Sequence, residues 1–169
     1  MKAIYSDEHG DISKLQYGEV EKPTPKKNEA LIKVEAVALN HLDIWIRRGW
    51  KGLRLDLPHI GGSDITGIIE QIEPNPNFNI GDSVILTPGF TTEKDHWTKN
   101  NLDSLSPNYE IIGESRKGGL AEFITIPTKC LVKCDPTIAP EKRVAPLLVG
   151  LTAWRMLFKQ AKLKKERHY

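Results

Sequence analysis

Residues 30–49 read ALIKVEAVALNHLDIWIRRG, and this stretch decides the fold. Ile32, Val34, Ala36 and Ala38 occupy alternate positions, the period-two pattern of a strand with a buried face. After Asn40 the period changes. Leu42, Trp45 and Ile46 fall at i, i+3 and i+4, which predicts a short helix over 41–49, stopped by Gly49. Trp45, on the apolar stripe, is expected in the core; Trp50, just past the stop, is left open. The junction of strand and helix carries three polar side chains, Asn40, His41 and Asp43.

On either side the same strand character recurs. KAIYS (2–6) and LQYGEV (15–20) flank a turn at Glu8-His9-Gly10-Asp11. DITGIIEQI (64–72), DSVILT (82–87), LAEFITIP (120–127) and CLVKC (130–134) are further short strands punctuated by Gly and Pro. Residues 88–110 are polar and aperiodic, and so long a loop in a compact domain is expected to carry function or to be the remnant of it. Helical signals come only at the end. Pro140 suits a first turn, and Leu147, Leu151, Trp154, Phe158 and Ala161 share one stripe. The class is mainly β: a partly open barrel with short helices and a C-terminal amphipathic helix.

Composition narrows the function classes. The chain has 169 residues, 39% hydrophobic and 27% charged, which is ordinary for a soluble globular domain. No apolar run is long enough to cross a bilayer, and the N-terminus lacks a signal-type apolar segment, so a cytoplasmic setting is expected. Net charge is only +2, and Lys159, Lys162, Lys164, Lys165 and Arg167 crowd the last residues against Glu166. That tail reads as a solvated helix end or a cloning-related terminus. A nucleic-acid partner would require a basic face, and none is visible. Cys130 and Cys134 are too few for a disulfide framework and read as buried thiols.

The order ALNHLDIWIRRG, LPHIGGSDITGIIEQI, GDSVIL, GGLAEFITIP and APLLVGLTAWRML resembles the medium-chain dehydrogenase/reductase superfamily of zinc alcohol dehydrogenases and zinc-free quinone oxidoreductases. The resemblance runs from residue 1 to about residue 163. It implies a GroES-like catalytic domain over 1–135 and a helical segment over 136–169 that would lead into a Rossmann domain. No G-x-G-x-x-G follows any strand of these 169 residues, so nothing here is expected to cradle a pyrophosphate.

The resemblance also lets the zinc positions be read one at a time. The first ligand position holds Asn40, the second Ser63, and the third Leu148 or Val149; Asp64 stands at an optional one. The loop after GDSVIL lacks the four cysteines of a structural zinc lobe. No zinc is therefore expected, since a catalytic zinc needs three protein ligands.

What the resemblance implies for function is the substrate-side domain of a zinc-free, NAD(P)-dependent oxidoreductase, inactive alone and binding neither NAD nor NADP tightly. Its substrate would be a small carbonyl or quinone. Asn40, Asp43 and Asp64 are the candidate catalytic residues, with Asn40 bonding the acceptor oxygen and Asp43 orienting the site. His41 and Thr152 are the candidate cofactor contacts. Leu42 replaces the Ser or Thr that relays a proton in alcohol dehydrogenases, which disfavours alcohol oxidation. The alternative is a non-enzymatic GroES-like interaction module or a truncated gene product. The exposed apolar stripe predicts a homo-oligomer formed through the C-terminal helix.

Overall fold

A computed structural model describes residues 1–164. β1 (Lys2–Tyr5) pairs antiparallel with β2 (Gln16–Glu19) at one edge. The body is a five-stranded antiparallel sheet in the order β8 (Phe123–Pro127), β3 (Glu29–Ala38), β4 (Asp64–Ile72), β5 (Ser83–Leu86), β9 (Leu131–Lys133). A third, two-stranded sheet joins β6 (Gly89–Phe90) to β7 (Glu110–Ile111). Register shifts between β3 and β4 at Leu31/Ile32 and Val34/Ala36 bend the long strands, as bulges do. The sheets curl without closing, so the partly open barrel is the observed architecture.

Branched side chains fill the interior: Ile32, Ile65, Ile69, Val84, Leu86 and Ile126 are essentially inaccessible. At Gly67 the two long strands come too close for a side chain. A Cβ there would collide with the Lys33 carbonyl of β3.

The helix after β3 is α1 (His41–Arg48), and Gly49 ends it in the left-handed region at φ 74°. Of its apolar stripe only Ile46 is buried. Trp45 is 55% exposed, not in the core, because α1 covers the barrel with a single edge. Trp50 is also exposed.

Residues 88–110 are more ordered than their composition suggests. Helix α2 (His96–Lys99) forms because the Asp95 carboxylate accepts from the Thr98 N–H at 2.9 Å and from Ser106 Oγ at 2.6 Å. Capping side chains, the β6–β7 pairing and the buried Phe90 hold this lobe together.

The C-terminal stripe is not one helix. α3 (Pro140–Val144) opens with proline, as expected, and is followed by α4 (Leu147–Trp154) and a π-helical stretch, Arg155–Gln160. Widening to the π repeat spreads apolar residues around the axis. Val149, Leu151, Trp154, Met156, Leu157 and Phe158 all remain exposed. Cys130 is buried, but in a one-turn 3-10 helix (Thr128–Cys130) and not in a strand; Cys134, just past β9, is half-buried. The end of the basic tail, 165–169, lies outside the described residues.

Candidate active site

The site begins where β3 hands over to α1. Asn40 is the N-cap residue, in extended conformation, and Asp43 stands at the third helical position. Asp43 Oδ2 accepts from the Asn40 N–H at 2.6 Å, satisfying one of the donors that a helix start leaves free. Asp43 Oδ1 accepts from the Gly62 N–H at 2.8 Å and so fastens α1 to the turn before β4. Gly62 has φ 92°, and a Cβ there would press on Val37 at 2.8 Å. The turn depends on glycine.

The Asn40 side chain also reaches across to β4. Its Nδ2 donates to Asp64 Oδ2 at 3.1 Å. Asp64 opens β4, is 1% exposed, and accepts a second bond at Oδ1 from the Leu148 N–H at 2.9 Å. One buried carboxylate thus joins β4, the start of α1 and the first turn of α4. Burial pushes the Asp64 carboxyl above the usual carboxylate range; the bonds from Asn40 and Leu148 oppose that, and the Asp43 charge adds to it. Beside it Ser63 is fully buried, and its Oγ has no hydrogen-bond partner.

Asn40, Asp43 and Asp64, the expected catalytic set, come together in one network. The two expected cofactor contacts stand apart from it. His41 is exposed and meets Trp45 edge-on, with ring centroids 4.9 Å apart. Thr152 is exposed one turn beyond Leu148, and its Oγ1 donates to the Leu148 carbonyl at 2.8 Å. It borders a cavity of about 570 Å³ between α4 and the 88–111 lobe, shared with Tyr109, Ile111 and Trp154.

Two residues of note escaped the sequence reading. His59 is 5% exposed, its Nε2 donates to the Gly113 carbonyl at 3.0 Å, and burial pulls its imidazole below the ordinary histidine range. Arg143, on α3, is buried against Glu35 at 2.8 Å and Cys134 Sγ at 3.4 Å. Neither belongs to a local motif. Only a backbone bridge from Ser6 to His59, and a pairing across 108 residues, reveal them.

The donor set does not fit a catalytic zinc. Among the described residues no three His, Cys, Asp or Glu side chains converge. Asn40, Ser63 and Leu148 offer an amide, a hydroxyl and an aliphatic chain where thiolates or imidazoles would be needed. The Asn40 amide and the Leu148 N–H are already bonded to Asp64. A dinucleotide fits no better: the Thr152 hydroxyl is bonded within its own helix, and the sequence has no glycine-rich phosphate loop.

Comparison with known proteins agrees with this architecture. Residues 26–136 match the alcohol dehydrogenase GroES-like domain. A zinc-type alcohol dehydrogenase-like protein of Schizosaccharomyces pombe is 30% identical over 163 residues, covering 94% of this chain and 44% of that protein. A chloroplast envelope quinone oxidoreductase homolog of Arabidopsis thaliana is 28% identical, covering 95% of this chain and 42% of that protein. The crystal structure of an NAD-dependent alcohol dehydrogenase superposes with a TM-score of 0.93 at 31% identity, over 98% of this chain and 49% of that one. The chain therefore spans less than half the length of the relatives it matches. It belongs to the medium-chain dehydrogenase/reductase superfamily, through its alcohol dehydrogenase GroES-like domain.

Proposed function

We propose that this chain is the substrate-side half of a zinc-free, NAD(P)-dependent oxidoreductase acting on a small carbonyl or quinone. The observation that carries the reading is the state of Asn40. One Nδ2 hydrogen is given to Asp64, which fixes the amide plane and leaves the second hydrogen for an acceptor oxygen. Asp64 is held in turn by the Leu148 N–H, and Asp43 pins the Asn40 backbone. A donor held by such a network needs little reorganisation when a substrate oxygen arrives. Hydrogen bonding thus occupies the place that a metal takes in zinc enzymes.

The redox step belongs to a nicotinamide cofactor that these residues do not hold by themselves. His41 and Thr152 are exposed, as edge contacts to a separately held cofactor would be. The exposed apolar residues of α4 and the π-helical stretch support self-association of the chain. Among the described residues no helix is long and apolar enough to cross a membrane.

Titration with duroquinone, whose ring positions are all blocked against thiol attack, tests the reading. The Asn40 side-chain amide resonance should shift, and Asn40→Ala should weaken binding by about tenfold, the loss of one well-placed hydrogen bond. Equal binding by wild type and Asn40→Ala would contradict it.

A further inference from the structure

The two cysteines are neighbours in sequence and sit in opposite surroundings. Cys130 is 1% exposed, packed in the core, and burial pushes its thiol above the ordinary range. A thiol so placed is inert. Cys134, just past β9, is free and only half-buried, so small solutes reach its sulfur. The proposed function makes no use of either.

What sets Cys134 apart is Arg143. Arg143 Nη1 donates to the Cys134 sulfur at 3.4 Å, although the arginine side chain is itself only 4% exposed. Its Nη2 donates to Glu35 Oε2 at 2.8 Å, and its Nε, buried as well, has no hydrogen-bond partner among the described residues. A guanidinium taken out of water needs its charge and its N–H groups matched. Here one carboxylate, 31% exposed, and one sulfur are all that meet it.

The arrangement is fixed on both sides. The Cys134 N–H donates to the Ser83 carbonyl at 3.1 Å, which holds the cysteine at the end of the sheet. Asp135, the acid next to it in the chain, is engaged elsewhere: its Oδ1 accepts from the Thr137 N–H at 2.8 Å and from Thr137 Oγ1 at 2.7 Å. The sulfur is therefore the group left to balance Arg143, and it does so best as an anion. A thiolate beside a buried arginine, open to solution, is the setting of a reactive cysteine.

We propose that Cys134 is an oxidation site, a thiolate held by Arg143 that hydrogen peroxide converts to a sulfenic acid. The sulfur attacks one peroxide oxygen, and the sulfur–oxygen bond forms as the oxygen–oxygen bond breaks. The leaving hydroxide takes up a proton from solvent and departs as water. Sulfur gives up two electrons and the peroxide receives them. The new oxygen is a further acceptor beside Arg143 Nη1, which has a second hydrogen to donate. The proposal is independent of the oxidoreductase reading, since none of Asn40, Asp43 and Asp64 takes part.

The test treats the 169-residue chain with hydrogen peroxide, traps sulfenic acid with dimedone and maps the label by mass spectrometry. Native Cys134 should be labelled about tenfold faster than Cys130. It should also be labelled about tenfold faster than Cys134 in urea-unfolded chain, the gain in thiolate that one adjacent opposite charge gives. Unfolding exposes the sulfur fully, so a cysteine reactive through exposure alone would change in the other direction. Arg143→Met should slow native Cys134 by about the same factor, and Arg143→Lys, which keeps the charge, should slow it less. If Arg143→Met does not fold, the comparison of native with urea-unfolded wild type decides the matter. Labelling of Cys134 that is equal or faster in urea, native Cys130 labelled as fast as Cys134, or an unchanged rate in folded Arg143→Met would overturn the proposal.

Discussion

The Asp64 carboxylate accepts a hydrogen bond from the Leu148 backbone N–H, 84 residues further along the chain, at 2.9 Å. The same carboxylate holds the Asn40 amide. Strand β4, the start of α1 and the start of α4 therefore meet at one buried group, and the candidate site exists only while that group accepts both bonds.

Replacing Asp64 should show this. Asp64→Ala leaves the Asn40 amide and the Leu148 N–H without a partner, at a cost of about 3 kcal/mol in unfolding free energy. Hydrogen exchange at Leu148 should accelerate more than at Ile69 in the same variant. Asp64→Asn, which keeps an acceptor oxygen, should cost less. A fall of under about 0.5 kcal/mol in Asp64→Ala would mean that the network is not structural.

The strands outside the 88–111 lobe and α1 were legible in the sequence. Where one face is buried, as in β5 and β8, the hydrophobic period reports the geometry; β6 and β7, inside the lobe, were not legible. β4 runs over Asp64–Ile72, the span its sequence predicts. Where other forces set the structure the period was silent. Asp95 organises the 88–110 lobe through capping bonds, and a cap carries no periodic signal. Trp45 sits at a core-like spacing yet faces solvent, because α1 has only one edge against the barrel. Asn40, Asp43 and Asp64 could be singled out by motif, but their convergence rests on Gly62 and Leu148, positions that mean little until the chain is folded. His59 and Arg143 have partners too distant in sequence to be inferred.

Arg143 and Glu35 should behave asymmetrically. The Arg143 side chain is 4% exposed and the Glu35 side chain 31%. Removing the acid strands a buried guanidinium, whereas removing the arginine leaves a carboxylate that water can reach. Glu35→Gln should therefore destabilise by more than Arg143→Met, by about 3 kcal/mol against about 1–2 kcal/mol. The double variant should recover part of the loss. Chemical denaturation of the four proteins gives the comparison, and equal single-variant costs would contradict it.

His59 sets a pH dependence. Its folded-state value lies below the ordinary 6.5, so the unfolded chain takes up a proton before the native one does. The contribution of His59 is complete above pH 6.5 and is lost as pH falls toward the folded-state value. Stability should decline on acidification from pH 7, and His59→Gln should flatten that slope. A wild-type profile that does not fall below pH 6.5 would contradict the assignment.

The exposed apolar residues at the C-terminal end should drive association. Leu151, Trp154 and Phe158 are each about half exposed, and the Trp154 and Phe158 rings lie 5.7 Å apart, as one patch. The chain should sediment as a dimer or larger at tens of micromolar, a concentration at which an interface worth about 6–8 kcal/mol is populated. Replacing the three with Ser or Gln should give a monomer. Monomeric wild-type protein at that concentration would remove the proposal.

We propose that a hydrogen-bond network of Asn40, Asp64 and Leu148 takes the place of a metal. Elemental analysis of the chain, produced with zinc present and then dialysed against a weak chelator, tests it most directly. Zinc should be found at trace level only. One zinc retained per chain would contradict it.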